Sequence, residues 1–121
     1  MQVLGNLTIL KIDGHEFTAL QGDAFSSGLL PSRLERLHIV NGLLTDLPAD
    51  VFQVLRKLKT LDLHGNSISE LRRNQFRGLR DTEVLDLSYN NLTKIDSSHI
   101  ADLNKLGWCN VSHNAITELT R

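Results

Sequence analysis

Apolar residues fall at the same offsets in consecutive stretches of 24 residues. Leu34, Leu37, Ile39, Leu44, Leu47, Phe52 and Leu55 are followed by Leu58, Leu61, Leu63, Ile68, Leu71, Phe76 and Leu79, each 24 residues on. A third stretch, from Thr82, continues the series with Leu85, Leu87, Leu92, Ile95, Ile100 and Leu103. A fixed period of this length predicts a solenoid, whose units bury their apolar edges only against their neighbours. Each unit has two textures. In Leu58-Lys-Thr-Leu61-Asp-Leu63 the apolar positions alternate with polar ones, which predicts a short strand with Leu61 and Leu63 inward and Thr60 and Asp62 outward. A polar turn follows, as in His64-Gly65-Asn66, and then a segment such as SELRRNQFRGLRD, spaced like a short helix or 3₁₀ turn. Like-directed strands joined by such returns form a parallel sheet along one face, roughly 20 Å long for five strands.

The same offsets divide the whole chain. Residues 1–6 are the tail of one unit, 7–33, 34–57, 58–81 and 82–105 are units, and 106–121 is a partial one. The first is looser: Leu7, Leu10, Ile12, Phe17, Leu20 and Phe25 hold the offsets, with three extra residues near Ser26-Ser27-Gly28.

The pattern L-x-x-L-x-L-x-x-N-x-L resembles the leucine-rich repeat family over essentially the whole chain. The resemblance implies an α/β solenoid: an arc with a short-stranded parallel sheet on its concave face and irregular, 3₁₀ or short helical returns on its convex side. It also implies that Asn66, Asn90 and Asn114 form a ladder of buried amides that bond the turn backbone of adjacent repeats. Amides suit that role, having both donors and acceptors. Phe25, Phe52 and Phe76 match the phenylalanine spine of the typical, mostly extracellular 24-residue subclass, with arrays similar to Toll-like, Slit-like or chaoptin-like proteins. Departures are His15 and Gly42 at the amide position, Ile100 in the spine, Thr82 at a leucine position and Cys109 at a core leucine position. Neither end carries the cysteine-rich caps of extracellular relatives. The chain therefore reads as an internal piece of a longer protein that exposes Leu7, Ile116 and Leu119 and self-associates through uncapped ends.

The 121 residues are enough for one domain, and a net charge of −1 gives no global attraction for nucleic acid or anionic membrane, so no nucleic-acid partner is expected. There is no apolar run long enough for direct membrane insertion and no signal peptide. A single cysteine, Cys109, excludes an internal disulfide and reads as a buried small hydrophobe.

Outward strand positions carry the candidate chemistry, because the fold does not dictate their identity. They form two columns, Ile9, Arg36, Thr60, Val84, Trp108 and Lys11, His38, Asp62, Asp86, Asn110. The turns add Asp13, Val40, His64, Ser88 and Ser112, then Asn41, Tyr89 and His113. Arg36, His38, Asp62, Asp86, Tyr89 and Trp108 are the expected binding residues, with Tyr89, Val84, Trp108 and His113 as an anchor cluster. His38, Asp62, His64 and Asp86 combine potential zinc ligands with a His–Asp pair. An open sheet offers no dry pocket or nucleophile, and there is no ligand-spacing motif, so neither a metal nor a catalytic residue is assigned. Arg56, Lys57, Arg72, Arg73, Arg77 and Arg80 gather on the return segments, as a basic patch for an acidic partner or as an ordinary solvated side. Asn6, Asn91 and Asn110 begin N-glycosylation sequons.

The reading is a non-enzymatic recognition module with no cofactor, binding a protein ligand or co-receptor through its concave face. It belongs to the extracellular repeat region of a cell-surface or secreted glycoprotein. The alternative is a cytosolic leucine-rich repeat scaffold or adaptor.

Overall fold

The computed structural model describes residues 8–14, 16, 18–20, 33–48 and 50–116, with the backbone of 118 and 119. Asn6, Leu7, His15, Phe17, Phe25 and the side chain of Leu119 lie outside the described residues. The elements are β1 (Ile9–Asp13), β2 (Arg36–Val40), β3 (Thr60–Asp62), β4 (Val84–Asp86), β5 (Lys94–Ile95), α1 (Ser97–Ile100), β6 (Trp108–Asn110) and β7 (Glu118–Leu119). Five strands make one parallel sheet in the order β1-β2-β3-β4-β6. A second, two-stranded parallel sheet pairs β5 with β7, which the period-two reading did not anticipate.

Register follows the sequence period. Leu10, Leu37, Leu61, Leu85 and Cys109 are successive partners across the main sheet. Leu37, Leu61 and Leu85 are wholly buried, as are Ile39, Leu63 and Leu87 two residues on. Each coil thus contributes the same aliphatic atoms to one continuous core. β2, β3, β4 and β6 also enter the sheet in the same way, with two consecutive N–H groups donating to one carbonyl of the preceding coil. Lys59 and Thr60 meet Glu35, Glu83 and Val84 meet Lys59, and Gly107 and Trp108 meet Glu83.

Behind the sheet, Phe52 and Phe76 stack with ring centroids 6.2 Å apart, both fully buried, while Ile100 at the same offset is only partly buried. The return segments are mostly turns closed by tight bonds between residues three apart: Leu55 N–H to Phe52, Leu79 to Phe76, and Leu103 to Ile100. Among the described residues, only the return that follows β4 winds into a helix, the four-residue α1. Its N-cap Asp96 accepts from Ser98 N–H while His99 Nδ1 accepts from Asp96 N–H. Gln75, one period earlier, plays the same part for Arg72 N–H and donates to the Leu47 and Pro48 carbonyls.

The amide ladder repeats in full. Asn66 Oδ1 accepts Leu44 N–H, and its Nδ2 donates to the carbonyls of Ile39, Leu63 and His64. Asn90 accepts from Ile68 and donates to Leu63, Leu87 and Ser88. Asn114 accepts from Leu92 and donates to Leu87, Val111 and Ser112. Each amide closes its own turn and reaches back into the coil before it, so buried backbone groups stay paired. Thr82 is a better fit than its departure from leucine suggested: it is buried, and its hydroxyl donates to the Leu58 carbonyl at 2.8 Å.

Three expectations need correction. Cys109 holds the inward register position beside Leu85 but is exposed, because among the described residues no strand pairs along the far edge of β6 to cover it. Ile116 is partly buried against the core rather than exposed. Val40, the last residue of β2, and Ser88, just past β4, were placed on the surface from sequence but are buried.

Candidate functional site

The outer face of the main sheet carries the two columns expected from alternation. Ile9, Arg36, Thr60, Val84 and Trp108 are mutual register partners, as are Lys11, His38, Asp62, Asp86 and Asn110. Arg36 is exposed and Trp108 is 50% exposed, whereas His38, Asp62 and Asp86 are half-buried among their neighbours.

Asp62 is the hub of the second column. Its Oδ2 accepts from His38 Nδ1 at 3.0 Å; its Oδ1 accepts from His64 Nδ1 at 2.6 Å and from His64 N–H at 3.2 Å. Burial works to raise its pKa, but the hydrogen bonds from His38, from the His64 ring and from the His64 backbone outweigh it and the net direction is down. Asp86, its register partner in the next strand, accepts from both the N–H and the hydroxyl of Ser88 through Oδ1. Asn110 repeats the motif with Ser112 N–H.

At the turn beyond the strands, Tyr89 and His113 stack at a centroid distance of 4.1 Å and 10° between planes, with Tyr89 56% exposed. Both have left-handed backbones, φ 57° and 56°. The position is left-handed in every coil: Gly14, Asn41, Gly65, Tyr89 and His113 occupy it in turn. Glycine at two of these positions was the sequence signal for that geometry, and it was missed. The anchor cluster expected from sequence is therefore divided. Among the described residues no ring contact joins Trp108 to the Tyr89–His113 pair, and Trp108 lies at the opposite end of the strand, beside Val84.

The basic patch is also divided. Arg72 turns back to the Leu47 carbonyl and Asp46, and Arg77 pairs with Asp50 at 3.6 Å. Arg56, Arg77 and Arg80 do line one cleft, but Asp81 and Asp102 share it, so it is not uniformly cationic. Asn91 is exposed and Asn110 is half-buried on the outer sheet face. Cys109 is accessible, but desolvation and then the Asp86 carboxylate push its thiol pKa up, away from the reactive thiolate.

The model for the leucine rich repeat matches residues 32–92 and 56–116. Among solved structures, TLR13 in a complex with ssRNA13 superposes with a TM-score of 0.84 at 28% identity, covering 92% of this chain and 15% of that one. The leucine-rich repeat domain of APL1B gives 0.82 at 24% identity, over 94% and 33%, a likeness of fold. A leucine-rich repeat protein of Leptospira interrogans gives 0.78 at 28% identity, over 96% and 28%. The chain thus spans a third or less of the length of each of these proteins. A comparison with curated protein sequences found no match. Among the described residues no helix is long and apolar enough to cross a membrane. With its period, its strand register and its amide ladder all matching, the chain belongs to the leucine-rich repeat family.

Proposed function

We infer that this chain is a recognition segment that binds a protein ligand or co-receptor through the concave, outer face of its sheet. Leucine-rich repeat domains generally serve protein–protein interaction, and the observation that carries the reading here is the Tyr89–His113 pair. Of the five residues at this left-handed turn position, only Tyr89 and His113 carry rings, and both are exposed. The stacked rings form a rigid aromatic shelf, which loses little entropy on association, and exposed aromatics are common hot spots. Trp108, Arg36 and the His38–Asp62–Asp86 column extend the surface along the strands. The phenylalanine spine and the exposed Asn91 sequon support an extracellular or cell-surface glycoprotein as the parent, with sugar on Asn91. A glycan on Asn110 would obstruct the face, so Asn110 is expected to be bare.

Site-specific photo-crosslinking on the full-length protein tests this. A photoreactive residue at Tyr89 or Trp108 should trap a protein partner, while one at the exposed Arg73 of the return segment should trap none. Crosslinks confined to Arg73, or crosslinks to RNA from Tyr89, would overturn the reading.

A further inference from the structure

We propose that Asp62, His64 and Asp86 form a zinc-binding site on the outer face of the sheet. The three side chains offer ligand atoms that all lie within 4.8 Å of one another. Zinc holds nitrogen and oxygen ligands at about 2.0–2.2 Å in a tetrahedron, so small side-chain rotations bring these atoms to binding distance. An imidazole with two carboxylates suits zinc, whereas calcium and magnesium favour sets made of oxygen alone.

Two features of the surroundings argue for a cation. Asp62 and Asp86 are register partners on adjacent strands, their carboxylates side by side on one face, and neither has a lysine or arginine ion-pair partner among the described residues. Like charges placed directly opposite raise the energy of a sheet, and a divalent ion removes that repulsion. His64 Nδ1 lies 2.6 Å from Asp62 Oδ1, so the fold already brings the imidazole and the first carboxylate together.

The supporting partners are also in place. His38 Nδ1, 3.0 Å from Asp62 Oδ2, orients the first carboxylate from the neighbouring strand, and Ser88 holds Asp86 through Oδ1. Partners of this kind tune metal affinity without touching the ion. The three ligands come from two consecutive coils whose backbones the Asn90 amide locks together. Three protein ligands leave a fourth position open toward solvent, on the face that also carries Trp108. A water molecule, or a side chain of a docking protein, completes the shell.

Zinc content after equilibrium dialysis of metal-free full-length protein against zinc chloride tests the site. The His64→Gln and Asp86→Asn variants should each hold one zinc fewer than the unmodified protein, with circular dichroism and melting in chelator confirming that they remain folded. His38→Gln should weaken that zinc about 10–100-fold without abolishing it. Cys109→Ser should bind as the unmodified protein does. Equal zinc content in the unmodified protein, His64→Gln and Asp86→Asn would overturn the proposal, and so would loss of the ion in Cys109→Ser.

Discussion

Two neighbouring columns of the solenoid, one residue apart, obey opposite rules. Asn66, Asn90 and Asn114 are the same residue three times over, inward-turned, with four backbone hydrogen bonds each. Immediately before them stand Gly65, Tyr89 and His113, whose backbones share one left-handed conformation while their side chains range from a single hydrogen to a stacked ring. Backbone geometry repeats in both columns. Side-chain identity is held only where the side chain itself closes backbone bonds that would otherwise be buried unpaired. Where the side chain points away from the coil, the position is open to selection for something else.

The interior columns should therefore be far less tolerant than the outer ones. The largest effect is expected from Phe76→Ala, which removes half of the stacked pair from a buried site and should cost about 3–5 kcal/mol, read from the urea midpoint. A midpoint that does not move would mean that the spine is not part of the core. The neighbouring pair sharpens the contrast directly. Asn90→Ala should cost roughly 1–3 kcal/mol by leaving turn groups unpaired. Tyr89→Asn should stay within about 0.5 kcal/mol, because asparagine tolerates a left-handed backbone and only a surface stack is lost. Equal costs at the two positions would erase the distinction between them.

The smallest effect concerns acid. The folded-state pKa of Asp62 lies below its unfolded value, so its stabilisation is fully present above about pH 3.9 and is lost as pH falls through the lower folded value. Thermal melts in chelator should show the unmodified protein above Asp62→Asn at neutral pH, with the gap closing on acidification below about pH 4. A gap that persists at low pH would place the stabilisation elsewhere.

Much of the fold was legible in the chain. The files through Leu37, Leu61 and Leu85 could be read because burial between stacked coils demands similar apolar volume at each step. The outer columns followed from strand alternation alone. Other features were hidden for identifiable reasons. Cys109 was placed on the correct side of its strand, but burial depends on what lies beyond the strand, which spacing does not encode. Thr82 looked like a defect until the Leu58 carbonyl appeared within reach of its hydroxyl. Gln75 and His99 gave no apolar signal, yet both are buried, each closing a return turn through a capping bond.

The candidate surface was legible as a list and illegible as an arrangement. Trp108 and Tyr89 seemed to be one cluster because they are close in repeat space, but Trp108 opens β6 while Tyr89 lies in the turn beyond the far end of its neighbour β4. Asp62 and its two histidines belong to different coils, or to a turn whose direction a left-handed residue sets.

The period and the residue types at its offsets were sufficient to determine the coil, the strand direction and the inward face, because each is a local property repeated identically. Which outward groups meet was decided only in the stacked structure. That depends on small rotations of side chains across strands from separate coils, and no periodic pattern carries that information.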